Sequence, residues 1–430
     1  MVTQFRFVHA ADLHLDTPFT GIARVAPELA ERLRDASLEA FDNLVELTID
    51  RGASFLIISG DIYDGPERGL RAQLRFLRGL ERLAEHQVAV FVIHGNHDPL
   101  DGWSAIRNWP WNVTVFPGDQ VQALAVQSNG DRLATIYGIS YASNETSENL
   151  AVRFVREDAP GIHVAILHCH VLGSEGIPSE AAAPYSPCSV ADLQSIGMDY
   201  WALGHIHQRQ NLAESPWIVY PGNLQGRSFK SSERGAKGAV LVEASTEGID
   251  NIEFLPLDRI RCKELVIDIG AIADIPSLER AIIQRGQSLQ EENENRDLLL
   301  QITLTGRGGL HDELHRPGNP ILGDLLDAVR DEVSERRPFL WFDRITDNSA
   351  GVIDRAAIAQ RSDFSGDLAR MADEMAADPA RIRAITDELM PQLRRARVAQ
   401  WVPEIESADP VLLLRDAETR ALDLLEGGSR

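Results

Sequence analysis

Five short, mostly apolar runs in this chain each stop at a cluster of carboxylate, amide or imidazole side chains, and that repetition limits what it can fold into. Phe5 to Ala11 runs into Asp12-Leu13-His14, and Ser54 to Ser59 into Gly60-Asp61-Ile62-Tyr63-Asp64. Val88 to His94 meets Gly95-Asn96-His97-Asp98, Ile162 to Leu167 meets His168-Cys169-His170, and Tyr200 to Leu203 meets Gly204-His205-Ile206-His207. Apolar runs of this length bounded by glycine and polar residues predict strands covered on both faces. In a locally extended chain, residues two apart point the same way, so Asp12 and His14 leave their strand together. Alone the pair is a common solvated loop sequence. Of the 12 histidines, however, seven lie in or beside these five clusters. Open α/β sheets place ligands outside the carboxyl ends of their strands, where these clusters fall.

Between the runs the pattern changes to helical spacing. Leu29, Leu33, Ser37, Phe41, Leu44 and Leu47 predict a helix over Pro27–Asp50, and Leu70, Leu74, Leu77, Leu80 and Leu83 another over Gly69–Glu85. Two β-α-β units follow. The runs Val121–Val126 and Leu133–Ile139, separated by a polar Gly-containing turn, predict an antiparallel hairpin. The first layer is therefore expected to be a mixed sheet. A polar loop is expected over 173–187, and Trp217–Tyr220, Ala239–Ala244 and Ile249–Leu255 read as a meander closing the second sheet. After a boundary near Pro256–Arg259 the order strand, helix, strand, helix, strand suits a small α+β domain. From Ile353 onward the pattern is helical, with apolar stripes Phe364/Leu368/Met371/Met375, Ile382/Ile385/Leu389/Leu393 and Leu414/Ala417/Ala421/Leu424.

At 430 residues the chain exceeds one compact core, and 44% hydrophobic with 25% charged residues is ordinary for a globular protein. No run is long enough to span a membrane, and no charged-then-apolar leader opens the chain. Cys169, Cys188 and Cys262 are scattered, which argues against a disulfide framework or thiolate metal site and suits a reducing cytoplasm. The net charge of −23 opposes non-specific attraction to nucleic acid, so any nucleic-acid reading needs metal ions or a local basic patch.

Imidazole, carboxylate and amide oxygen without thiolate suit borderline first-row divalent ions such as Mn, Fe or Zn. The series D-x-H, G-D-x-x-D, G-N-H-D, a later His and G-H-x-H resembles the calcineurin-like metallophosphoesterase superfamily. The spacing and Tyr220-Pro221-Gly222-Asn223-Leu224 resemble more narrowly the SbcD/YhaO-type DNA repair exonucleases, over about residues 5 to 257. The resemblance implies an α/β (α+β) metallophosphoesterase fold of two mixed β-sheets flanked by helices. It would occupy residues 1–257, followed by an α+β capping domain over 258–346 and a helical partner-docking region over 347–430. It also implies two divalent metal ions, Mn2+ first with Fe or Zn as alternatives. Asp12, His14 and His207 would hold one ion, Asn96, His168 and His205 the other, and Asp61 would bridge them. A water shared by ions about 3.5–4 Å apart would attack phosphorus. His97 is implied as the catalytic histidine on the scissile phosphate, with Asp64 steadying it.

Other polar residues have plainer roles. Asp98 is expected to be structural, and His9 and His94 to be satisfied within the core. His170 competes with His168 as a ligand, the family pattern favouring His168, and Cys169 should face away from the metals. Gly226 to Lys237 is the most basic short stretch, so Arg227, Lys230 and Arg234 are candidate phosphate contacts and Phe229 a candidate stacking residue; a solvated turn is the alternative. Arg68, Arg71, Arg75 and Arg78 line the second helix, partly as its solvent face. The helical tail either docks an SbcC-like/YhaN-like coiled-coil ATPase, as the resemblance implies, or packs on its own small core. DNA and a second copy of the chain are the other implied partners, and a membrane is not. The leading expectation is a DNA exonuclease subunit. The rivals are a small-substrate phosphodiesterase or phosphatase of the same superfamily, which Gly65-Pro66 after Asp64 tilts away from phosphoproteins, and a non-catalytic scaffold for the ATPase.

Overall fold

A computed structural model of the chain describes residues 2–20, 22, 27–65, 69–128, 130–144, 146–173, 185–316, 320–394 and 402–427. Most of the loop expected over 173–187, and Arg68, lie outside these residues. In chain order the first half runs β1 (Gln4–Ala10), α1 (Pro27–Asp50), β2 (Phe55–Ser59), α2 (Leu70–Glu85), β3 (Ala89–Ile93) and β4 (Val113–Val115). It continues through β5 (Gln122–Ser128), β6 (Asp131–Gly138), β7 (Ile162–His168), α3 (Val190–Ser195), β8 (Tyr200–Gly204), β9 (Gln210–Glu214), β10 (Trp217–Tyr220), β11 (Gly238–Ser245) and β12 (Gly248–Pro256).

These strands form two six-stranded mixed sheets, ordered β12-β11-β1-β2-β3-β4 and β5-β6-β7-β8-β10-β9. The two β-α-β units behave as their periodicity predicts, since β1, β2, β3 and β4 pair in parallel. Alternation of side chains decides which layer each residue enters. Val8 and Ala10, Leu56 and Ile58, Val90 and Val92 pack under α1 and α2. Their neighbours Phe7, Phe55, Ile57, Phe91 and Ile93 meet Ile162, Val164, Ile166, Tyr200 and Ala202 of the other sheet. Trp201, Leu203, Ala165 and Leu167 face the far side, against α3 and Phe154. Every core strand is thus buried on both faces, which is why its sequence reads as an unbroken apolar run. Phe7 and Phe55 stack with centroids 4.8 Å apart, and burying each such ring contributes about 1.5–3 kcal/mol.

The meander expectation is corrected. β10 joins the second sheet beside β8, but β11 and β12 return to the first sheet, where β11 pairs antiparallel with β1 over Gln4–His9. The alternation of β11 explains this. Val240, Val242 and Ala244 fill the intersheet core while Ala239 and Leu241 fill the helix-facing core, so the strand needs a layer on each side. Short-range spacing cannot say which sheet supplies that.

Arginines of α2 are spent on α1. Arg71 reaches Asp35, Arg75 Asp42 and Arg82 Glu46. These are exposed pairs worth at most about 1 kcal/mol each, and they order the helix pair more than they stabilise it.

The remaining elements are β13 (Ile260–Asp268), α4 (Ile275–Glu292), β14 (Asp297–Thr305), α5 (Leu310–Leu314), α6 (Ile321–Val333) and β15 (Leu340–Asp347). After them come α7 (Arg355–Ala359), α8 (Phe364–Ala376), α9 (Pro379–Leu393), α10 (Val402–Ser407) and α11 (Pro410–Gly427). β13, β14 and β15 form a three-stranded sheet in that order. The chain divides into two compact units. One comprises Met1–Leu265, Glu279–Thr303 and Gly323–Thr346, the other Val266–Leu278, Leu304–Leu322 and Asp347–Arg430. In the second unit Ile358, Ala369 and Leu422 form a small core. Arg355 and Arg415 both bond Asp373 and Glu418 beside it. The expected stripes divide here. Ile382 is buried, as is Met390 outside the stripes, whereas Phe364, Met371, Ile385, Leu389 and Leu424 stay exposed.

Candidate metal centre

The strand tips bring their polar clusters together, and the backbone at those tips is unusual. Asp12, His14, Asp61 and His205 have φ of 52, 42, 52 and 104 degrees, a region L-residues rarely enter. Such strain persists only where surrounding contacts hold it and is concentrated at functional sites. Here Asp12 N donates to Gly60 O at 3.1 Å and His14 N to Asp61 O at 3.0 Å, so the first two tips are bonded to each other. Two glycines allow the close approach. A Cβ on Gly95 would lie 2.3 Å from Asp61 Oδ1, and one on Gly204 1.9 Å from Ser59 O.

Around Asp12, one carboxylate and two imidazoles converge. His14 Nε2 and His207 Nε2 face each other at 3.1 Å, and Asp12, His14 and His207 each offer a donor atom within 4.8 Å of the others. His207 Nδ1 donates to Glu233 Oε1 at 2.5 Å, so its Nε2 carries the free lone pair. His14 is buried, which pushes its pKa down to about 4 and keeps it neutral. A second group forms around Asn96 Oδ1, which lies 3.0 Å from His168 Nε2 and 3.2 Å from His205 Nδ1. Between the groups sits Asp61. Its Oδ2 is 3.4 Å from His168 Nε2 and 3.9 Å from His14 Nε2, while its Oδ1 accepts from His97 N at 2.9 Å.

His168 tests whether divalent ions fit. Its Nδ1 donates to Ser59 O at 2.9 Å, which leaves Nε2 as a lone pair pointed at two oxygens, Asn96 Oδ1 and Asp61 Oδ2. Three electron-rich atoms so placed need a cation among them. Left to the protein alone, that cation is a proton: burial resists it, but Asp61 pushes His168 up to about 9. Asp61 in turn is held well below the usual carboxylate range, burial being outweighed by His168, His14 and His97. Asp12 is fully buried. Burial raises its pKa, and among the described residues its oxygens accept the His205 amide, at 3.0 and 3.1 Å. The donor set of nitrogen, carboxylate and amide oxygen fits borderline divalent ions.

On the open rim, Asp64 Oδ1 lies 3.0 Å from His97 Nδ1 and 3.3 Å from His14 Nδ1, and Asp64 Oδ2 accepts from Arg227 at 3.2 Å. The hydrogen bond to Asp64 raises the His97 pKa, and the His14 and His97 contacts hold Asp64 well below the carboxylate range. His170 stands apart, its ring 6.1 Å from that of His205. Cys169 is buried with its Sγ 3.8 Å from Cys188 Sγ. His9 bonds Tyr200 and Ser59, each at 3.1 Å.

The basic stretch after β10 is not the uniform clamp its composition suggests. Arg227 reaches the rim through Asp64, and Lys230 is exposed with no ion-pair partner among the described residues. Arg234 is engaged by Phe229 O and Glu264 Oε2. Phe229 is not available for stacking on a base: it is 8% exposed and packs with Leu29, Leu33, Cys262 and Leu299. Lys237 is turned inward, its Nζ donating to His207 O at 2.6 Å and to Ser232 O. Burial brings its pKa down to about 8 despite the neighbouring Glu233.

Two residues carry more than sequence reading assigned them. Glu233 holds His207 Nδ1 and also accepts from Asn223 Nδ2 and Arg227 N, each at 2.9 Å. The carboxylate fixes the ring's tautomer and orientation, as such partners do for metal-ligating histidines. Its position in a basic run concealed it. Asp98 accepts from Ile62 N at 3.0 Å and Gly95 N at 2.9 Å and lies 3.2 Å from His94 Nδ1. It therefore ties the loop carrying Asp61 to the loop carrying Asn96, a structural role larger than a turn before Pro99.

Comparison with known proteins bears on the same residues. The family described as "Calcineurin-like phosphoesterase" matches residues 5–209, and "Metallophosphoesterase YhaO, middle domain" matches residues 263–350. The chain is 34% identical over 351 residues to "Uncharacterized metallophosphoesterase YhaO" of Bacillus subtilis, covering 81% of this chain and 83% of that one. It is 24% identical to "DNA double-strand break repair protein Mre11" of Sulfolobus acidocaldarius, over 77% of this chain and 81% of that one. To the protein of the same name from Methanococcus maripaludis it is 32% identical, over 61% and 69%. With its polar strand tips inside one family match and its middle strands and helices inside the other, the chain belongs to the calcineurin-like phosphoesterases, metal-dependent phosphoester hydrolases, in their YhaO-like branch.

Proposed function

We propose that this protein is a two-metal phosphodiester hydrolase that acts on DNA ends, an exonuclease subunit serving DNA repair in the cytoplasm. The observation that carries the reading is the convergence of two ligand groups on one carboxylate, Asp61, with His97 and Asp64 on the exposed rim beside it. Asp12, His14 and His207 hold one ion in this reading, and Asn96, His168 and His205 the other. Mn2+ is the first choice. Bound divalent ions at such a centre supply Lewis acidity and a nucleophile at neutral pH.

The chain's own residues do the rest. Asp64 engages His97 Nδ1, which leaves Nε2–H to donate to the phosphate and pass its proton to the departing oxygen. The hydrogen bond to Asp64 raises the pKa of His97, which favours the protonated ring. Arg227 shares Asp64 and adds positive charge where the phosphate approaches. Lys230, and to a lesser degree Arg234, contact the strand beyond the scissile bond. Relatives named as DNA double-strand break repair proteins support DNA as the substrate. Residues 258–346 cap the site and select DNA by shape. Residues 347–430 dock an SbcC-like coiled-coil ATPase, for which the exposed Phe364, Met371, Ile385, Leu389 and Leu424 provide apolar surface.

A second reading, hydrolysis of a small phosphodiester, is favoured by the net charge of −23 and by the pairing of Arg234 with Glu264. One assay separates the two. Mn-dependent release of nucleotides from labelled duplex and single-stranded DNA is measured beside cleavage of a chromogenic phosphodiester, with and without the ATPase. DNA degradation is expected. Cleavage of the small ester alone would overturn the nuclease reading, and an inactive protein with full metal occupancy would favour the scaffold.

A further inference from the structure

We propose that His311, His315 and Asp347 form a second metal site, for a borderline divalent ion of the zinc type, that clips the end of α5 to the end of β15. None of these residues belongs to the strand-tip centre. His311 lies in α5 and His315 at its C-cap, four residues apart, which places the two rings on one face of the turn. Their centroids are 4.0 Å apart. Asp347 is the last residue of β15, and one donor atom from each of the three residues lies within 4.8 Å of the others.

The independent observation is the carboxylate. The Asp347 side chain is 5% exposed, yet its Oδ2 is buried and makes no hydrogen bond among the described residues. A buried carboxylate oxygen without a partner costs about 1–3 kcal/mol or more, so it is normally satisfied by something. The atom facing it is His315 Nδ1 at 3.6 Å, beyond hydrogen-bonding range. That spacing does suit two ligands of one tetrahedral ion. Zinc–ligand bonds of about 2.0–2.1 Å place neighbouring ligand atoms about 3.3 Å apart.

The rest of the surroundings agree. His311 Nδ1 is occupied by Ser349 Oγ at 3.0 Å, which orients the ring and leaves Nε2 as its donor. His315 Nδ1 currently donates to His311 O at 3.1 Å, and a shift of that proton to Nε2 frees Nδ1 for a cation. Arg307, whose positive charge acts on His311, is matched by Asp423 through bonds of 2.9 and 2.6 Å. The His315 side chain is 51% exposed, so an ion has a way in. Two imidazoles and one carboxylate leave a fourth position for water, and the set favours Zn2+, Ni2+ or Cu2+ over Mn2+.

The test is zinc stoichiometry on the full chain after metal stripping, by equilibrium dialysis and elemental analysis, for wild type, His315→Ala and Asp347→Asn. Each variant is expected to bind one equivalent fewer than wild type, with unchanged circular dichroism, and zinc is expected to raise the wild-type Tm more than the variants'. His315→Cys, which keeps a donor at that position, should recover the equivalent. Equal stoichiometry in wild type and His315→Ala would overturn the proposal, as would loss of the equivalent in Ala and Cys variants alike. A Co2+-loaded wild type whose absorption spectrum is unchanged by His315→Ala would overturn it as well.

Discussion

Glu233 Oε1 lies 2.5 Å from His207 Nδ1, so a carboxylate from the loop after β10 sets which nitrogen of that imidazole faces Asp12 and His14. Burial opposes ionisation of Glu233, yet His207, Arg227 and Lys237 hold it well below the usual carboxylate range. Replacing it with glutamine keeps the size but removes the charge that orients the ring. Metal affinity of the Glu233→Gln variant should fall by about 10–100-fold, the usual effect of losing such a partner. Metal titration of both proteins checks this; equal affinities would show that the ring is held by other contacts.

His97 Nδ1 lies 3.0 Å from Asp64 Oδ1 at the edge of the ligand groups, and in the proposed reading it serves the phosphate and not an ion. The His97→Gln variant should retain full metal content while kcat falls about 10²–10⁴-fold. Elemental analysis alongside turnover of a chromogenic phosphodiester distinguishes this from a ligand role, in which metal content would drop too.

His9 gives a pH dependence of stability with a definite sign. Burial between β1 and the second sheet pushes its pKa down to about 3 from an ordinary value near 6.5. The folded protein holds it neutral while the unfolded chain protonates below 6.5. Its contribution is therefore complete above pH 6.5 and is lost as pH falls toward 3, amounting to about 5 kcal/mol over the window. Urea unfolding at pH 4.5, 5.5 and 6.5 should show a slope shallower by about 1.4 kcal/mol per pH unit in His9→Gln. Parallel slopes would mean that His9 does not titrate differently in the two states.

Phe229 discriminates between a core residue and a nucleic-acid contact. Its ring packs with Leu29, Leu33 and Leu299, so Phe229→Ala should destabilise the protein by about 3–5 kcal/mol. An unchanged Tm with weakened DNA binding would restore the stacking reading.

Much of the centre was legible from local pattern because strands buried on both faces leave an unbroken apolar signature and must end where polar residues begin. Asp12, His14, Asp61, Asn96, His97, His168, His205 and His207 all stand at such ends. Glu233 was not legible, because its neighbours Arg227, Lys230, Arg234 and Lys237 gave the segment a basic character. Only the fold turns Lys237 and Phe229 inward and leaves Glu233 against His207. The sequence marks Asp98 as structural, but only the fold, which sets Ile62 N and Gly95 N against it, makes it a tie between two loops.

What the amino-acid sequence determined by itself is the set of parts: which runs are strands, which stripes are helices, and which side chains stand at the tips. Those properties follow from periodicity and residue chemistry over a few positions. What only the tertiary structure decided is partnership across distance. β11 joins β1 rather than the second sheet, and Asp61 comes to lie between His14 and His168. His311, His315 and Asp347 meet at the end of β15. Such pairings depend on how layers stack, and stacking is set by summed burial over the whole core, which no short stretch of sequence contains.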